Sequence, residues 1–398
     1  MITLPPWISR HFKAAGLVLA GFVIVATASA ALLHRGARTY LYRQTTYQLL
    51  ADRVAGNDQD PQRVAIRMND YIAENMYPGG GPVMDQTVLR NFIRGIGWCD
   101  QDAWALGTLL DKRGIAARPV FLKDAHGASP HTMAEVLLDG HWRLFDPMFG
   151  LVFPNPRTGR LATWQEVSDN PSLILEHPRV LALPASSRGP LLELFSRLFP
   201  APMAPERWQP PSGGSLPRRI VGRSIRLVLR SVGPRPAYLL QDLVLALLPD
   251  RLPALDVAAE GSNLPVTRTR AEDPAVPLFY KARSYHLFGR TALAEQYYDQ
   301  IIRHHRSRYG EESAFFRSLI SLESRNEPER AVVRLRRFQQ EFPDSPMASR
   351  AAYWLGRSYE RMGRFALAAG YYQQGASDPN VPAAYRLAEM NQGRSQRF

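Results

Sequence analysis

Apolar residues recur with a helical period once the chain passes residue 40. Tyr47, Leu50 and Val54, then Val64, Ile66, Met68, Tyr71 and Ile72, form stripes broken by the Asn57-Asp58 turn signal. These predict helices over residues 40–76, closed by the loop Tyr77-Pro78-Gly79-Gly80-Gly81-Pro82. A second helical stripe, Ala103, Leu106, Gly107 and Leu110, ends in Lys112 and Arg113 with Gly114 as its stop. The period then shifts to two. Thr132 to Leu138 and His141 to Phe145 alternate as strands around Asp139-Gly140, a two-residue hairpin signal that pairs Leu138 with His141.

Beyond residue 274 the pattern repeats every 37 residues. Ala294, Ala331 and Ala368 form one set; Tyr298, Leu335 and Tyr372 a second; Tyr285, Leu322 and Tyr359 a third; Gly289, Asn326 and Gly363 mark the turns. Three helical hairpins follow, none able to bury its apolar face alone, so they must stack. Leu355-Gly356, Tyr359, Gly363, Ala368 and Tyr372 resemble a tetratricopeptide repeat.

The N-terminus has another character. Residues 1–13 are short and basic, and Ala14 to Leu33 carries no charge. At ~1.5 Å per residue that run is long enough for ~30 Å of hydrocarbon. It reads as a transmembrane anchor, or as a signal peptide with Ala28-Ser29-Ala30 at the cut; either places the body outside the cytoplasm, periplasmic in a bacterial envelope. Residues 183–273 are rich in proline and arginine. Arg219, Arg223, Arg226 and Arg230 share one helical face. That face reads either as a contact with an anionic membrane surface or as the solvated side of a linker helix.

Composition narrows the classes. At 398 residues, with 45% apolar and 10% aromatic content, the chain implies two or three folded domains. A net charge of +13 calls for something anionic nearby. The arginine cluster lacks interleaved aromatics and any reading motif, so nucleic acid is not expected. No phosphate loop, dinucleotide fingerprint or zinc cluster is present, and no cofactor or metal is expected.

Cys99 is the sole cysteine and opens the Ala103–Leu110 helix, where free N–H groups favour a thiolate. His131 and Asp146 fall as diagonal neighbours on one face of the hairpin, within side-chain reach of each other. A thiol, an imidazole and a carboxylate in this arrangement make a nucleophile, its base and an orienting group.

Gly97-Trp98-Cys99 through Leu109-Leu110, Arg113-Gly114-Ile115-Ala116-Ala117-Arg118-Pro119-Val120, and His131-Thr132-Met133 through Phe145-Asp146-Pro147 resemble the core of the transglutaminase-like superfamily. The resemblance implies an α+β papain-like transglutaminase core over residues 40–182, with Cys99 as nucleophile, His131 as general base and Asp146 as its orienter. Thr132-Met133 departs from the small residue and tryptophan that often follow the histidine there. The fold expected for the whole chain is one N-terminal transmembrane helix (14–33), this core, a linker (183–273) and an all-α repeat domain (274–398). The function expected is acyl transfer from amide bonds through a thioester, on a protein or peptide substrate, with a protein partner held by the repeats. The alternative is an inactive membrane-tethered scaffold of an envelope or polysaccharide-assembly complex.

Overall fold

A computed structural model describes residues 35–76, 88–199, 204–207, 238–239, 274–307, 309–376 and scattered positions from 378 to 390. Helix α1 (Arg35–Ala55) buries Tyr42, Tyr47, Leu50 and Ala51 in the core. Asp60 caps α2 (Pro61–Asn75) by accepting the Arg63 N–H at 2.8 Å, with Pro61 supplying a preset φ. After α3 (Val88–Arg94) comes α4 (Cys99–Arg113), closed by Gly114 at φ +76°. Only a left-handed residue lets the Gly114 and Ile115 N–H groups turn back onto the last carbonyls.

The sheet is antiparallel, in the order β4-β3-β2-β1-β7, formed by β1 (Ala117–Leu122), β2 (His131–Leu138), β3 (His141–Asp146), β4 (Leu151–Val152) and β7 (Glu206–Arg207). Leu138 pairs with His141, and Asp139 and Gly140 have φ of +50° and +78°. Positive φ at both loop positions gives the turn whose twist matches the strands. A small hairpin, β5 (Pro154–Asn155) with β6 (Arg160–Leu161), and three short helices, α5 (Trp164–Asp169), α6 (Ser172–Leu175) and α7 (Pro178–Leu181), lead to α8 (Ala185–Leu198). α4 packs across β1 and β2. Residues 185–198 and 206–207, which fall in the proline-rich stretch, thus add a helix and an edge strand to the sheet-bearing half.

Three helical pairs follow: α9 (Ala275–Leu287) with α10 (Thr291–His304), α11 (Gly310–Glu323) with α12 (Pro328–Glu341), and α13 (Ala348–Arg361) with α14 (Phe365–Gly375). The second helices start 37 residues apart, at Thr291, Pro328 and Phe365. The turn residues Gly289, Asn326 and Gly363 all take positive φ, at +79°, +53° and +71°. Ala294, Ala331, Ala368, Tyr298, Leu335 and Tyr372 are fully buried. A Cβ on Gly356 would sit 2.5 Å from the Tyr372 ring, so glycine sets how closely α13 and α14 approach.

The first helix of each pair turns toward the sheet-bearing half. On α9, Arg283 donates from Nε to the Ile93 carbonyl at 2.7 Å and from Nη2 to the Phe92 carbonyl at 2.8 Å, capping α3. Its guanidinium lies 3.6 Å from the Phe316 ring centroid, and Phe316 on α11 also presses on Gly95. On α13, Tyr353 donates to Glu74 at 2.6 Å. Arg53 of α1 donates to the His286 carbonyl at 3.0 Å.

The expected fold class requires correction. Among the described residues no helix is long and apolar enough to cross a membrane, and the first described helix, α1, is a packed core element bearing Arg43, Asp52 and Arg53. Residues 14–33 lie outside the described residues, as do Arg219, Arg223, Arg226 and Arg230. The observed architecture is an antiparallel sheet with flanking helices, joined to helical repeats.

Candidate functional site

Cys99 is the first residue of α4, with Trp98 extended before it at φ −109°, ψ 171°. The Trp98 N–H donates to the Gln101 side chain at 3.2 Å, and the helical bonds begin with the Asp102 N–H on the Trp98 carbonyl at 2.8 Å. The first-turn N–H groups at the Cys99 end of the helix therefore have no intrahelical acceptors. Gly97 permits this turn, since a Cβ there would meet Asp102 Oδ1 at 2.1 Å and Met76 at 2.6 Å.

The hairpin brings in the other two groups. His131 opens β2, Asp146 ends β3, and His131 Nε2 donates to Asp146 Oδ2 at 2.8 Å with both side chains buried. Asp146 Oδ1 accepts the N–H groups of Met148 at 3.1 Å and Phe149 at 3.2 Å, which fixes the carboxylate. With Nε2 occupied, Nδ1 is the nitrogen left to hydrogen-bond the Cys99 sulfur. The structure thus brings together Cys99, His131 and Asp146.

Burial opposes charge on His131, but the Asp146 charge and hydrogen bond, with the Cys99 contact, raise its pKa to about 10. Burial likewise pushes the Cys99 thiol up, yet the His131 hydrogen bond and charge and the Thr132 backbone outweigh it and Asp100, leaving the thiol below its ordinary value. Both shifts favour a thiolate–imidazolium pair.

Three features of this site escape sequence reasoning. Phe149 and Phe195 pack on the imidazole at 5.7 and 6.1 Å between ring centroids, and Phe195 arrives from α8, 64 positions along the chain. Asp102, one helical turn after Cys99, is buried with Oδ1 lacking a hydrogen-bond partner. Burial, then the charges of Cys99, Asp146 and Asp100, raise its pKa well above its ordinary value and so favour the neutral carboxyl. Glu135 shares the His131 face but is taken by Arg118 at 2.6 Å and by Arg207 of β7 at 3.0 Å. The same face carries Met133 and Leu144, both buried, Leu137, which is exposed, and Trp142, which lies under the Arg118 guanidinium at 3.9 Å.

The C-terminal pairs have the turn and the buried small residue of a known repeat, at a period of 37 residues that exceeds its usual ~34. Residues 319–382 match the tetratricopeptide repeat family. The matched span runs from within α11 through α14. Tetratricopeptide repeats point to protein partners. No transglutaminase-like family match accompanies it. Comparison with curated proteins and with solved structures found no match.

Proposed function

We propose that this chain is a transglutaminase-like cysteine enzyme that cleaves or exchanges amide bonds by thioester acyl transfer, joined to a tetratricopeptide protein-interaction module. The observation that carries the reading is the buried His131–Asp146 bond of 2.8 Å, with its imidazole against the only cysteine of the chain. The Cys99 thiolate attacks the amide carbonyl, and the oxyanion forms beside the first-turn N–H groups of α4. The His131 imidazolium gives its proton to the departing amine as the C–N bond breaks, which leaves a thioester and a neutral ring. That ring takes a proton from water or an incoming amine as it attacks the thioester. Release of the acid, or of the new amide, restores the ion pair. Asp146 holds the Nε2–H tautomer and balances the imidazolium. Trp98, which precedes Cys99 in the chain, is exposed and offers an apolar surface to the acyl donor.

The test is the pH dependence of Cys99 alkylation by iodoacetamide in the wild type and in His131→Ala. The single cysteine makes the readout specific. Rapid reaction well below about pH 8.5, lost without His131, supports the reading. An inert thiol, or one titrating near about 8.5 in both proteins, overturns it and leaves a scaffold in which the repeats hold partners.

A further inference from the structure

The first helices of the three tetratricopeptide pairs are already engaged. Arg283, Phe316 and Tyr353, one from each, bind α2, α3 and the Gly95 turn of the same chain. A partner must therefore use another face. A groove of about 300 Å³ opens between α10, α11 and α12. Its apolar lining is Ile302, Ala314 and Phe338, and its rim is Arg303, Arg317, Arg334 and Arg337.

Charge in this groove is unbalanced. Asp299 pairs with Arg317, and Glu341 is shared by Arg337 at 2.6 Å and Arg306 at 3.0 Å. Glu295 is shared by Arg334 and Arg325. Among the described residues, arginines 303, 306, 317, 325, 334 and 337 thus outnumber the carboxylates of 295, 299 and 341 that pair with members of this group. Arg303 is exposed and meets, among the described residues, a backbone carbonyl (Asp299, 3.1 Å) and no carboxylate. The Arg337 side chain is 70% exposed.

We propose that this groove docks an acidic peptide segment of a partner protein, one carrying an apolar side chain among its carboxylates. Guanidinium forks match carboxylates in geometry, and the apolar lining takes the side chain between them. A volume that holds only a few side chains argues against a polyphosphate strand, which is tracked by a continuous cationic channel with stacking aromatics. The inference does not depend on the chemistry of Cys99.

The experiment is fluorescence anisotropy of a short fluorescein-labelled peptide of alternating Glu and Phe, titrated with the full chain. Arg303→Glu/Arg337→Glu is expected to weaken binding at least about tenfold while preserving the circular dichroism spectrum, since both side chains are exposed. Arg303→Gln/Arg337→Gln serves if the reversal does not fold, with a smaller loss in the same direction. Cys99→Ser is expected to bind as the wild type does, so failure here is separable from failure of the enzymatic reading. Reversal of Arg219, Arg223, Arg226 and Arg230 tests the other basic segment and is expected to leave the affinity within about twofold. The proposal is overturned if the peptide does not bind, or if groove reversal leaves its affinity unchanged. It is also overturned if only the 219–230 reversal weakens it, or if an oligonucleotide of equal charge binds the groove more tightly.

Discussion

His131 gains its proton affinity from a partner that is fully buried and pinned by two backbone N–H groups, so the Asp146 charge cannot be relieved by water. Its pKa stands at about 10 against an ordinary 6.5. A folded-state pKa raised in this way contributes stability that is complete below about pH 6.5 and is lost as pH rises through about 10. Cys99, shifted down, behaves in reverse: its contribution is present above its ordinary range and is lost as pH falls through its folded value. Both directions favour the thiolate–imidazolium pair over the neutral thiol and imidazole. Asp146→Asn keeps the shape of the acceptor and removes its charge, and alkylation of Cys99 is expected to need a higher pH than in the wild type. Asp102→Asn is expected to leave that profile nearly unchanged, because burial and the neighbouring negative charges favour the neutral carboxyl. A drop in the thiol pKa of Asp102→Asn would show that Asp102 carries charge.

At the scale of elements, what was legible in the sequence is what local rules determine. Asp139-Gly140 fixes the hairpin register, and a register fixed by the turn places His131 and Asp146 on one face without further information. The 37-residue spacing likewise locates Asn326 at the same turn position as two glycines, and it takes the same positive φ. Strand β7 is two residues long in a proline-rich stretch and has no period to detect, yet it carries Arg207 to Glu135. Phe195 gives no sign, before folding, of meeting His131, because the contact is tertiary. Arg283 is the same kind of residue: it reads as one more charge on a helix and proves to be a buried cap on α3. Arg283→Met would leave the Phe92 and Ile93 carbonyls buried without donors, at about 1–3 kcal/mol for each. Urea denaturation should register that loss. Hydrogen exchange should show faster opening at the end of α3 and in the turn that leads to Cys99. Arg283→Lys is expected to recover only part of it, since one ammonium does not reproduce the fork.

For the whole molecule, the joint between sheet and repeats contains a titratable group that the chemistry at Cys99 does not use. His286 is buried where Arg53, Arg283, Tyr298 and Glu323 converge, with Arg283 donating to its Nδ1 at 3.0 Å and Glu323 at 3.6 Å from Nε2. Burial first, then the charges of Arg283 and Arg53, outweigh Glu323 and lower its pKa from 6.5 to about 4. A depressed pKa contributes stability that is present above about pH 6.5 and is lost as pH falls through about 4, and a shift of this size is worth at most about 3 kcal/mol. The urea midpoint of the wild type should therefore fall between these limits, and that of His286→Gln should fall less. Parallel decline in the two proteins would mean that other groups control the acid response. Because Arg283 both donates to His286 and caps α3, charging His286 sets two cations against each other at the cap. Acid is thus expected to loosen the α3 end and the Gly95–Trp98 turn before the repeats themselves unfold, an order that pH-jump hydrogen exchange would read directly.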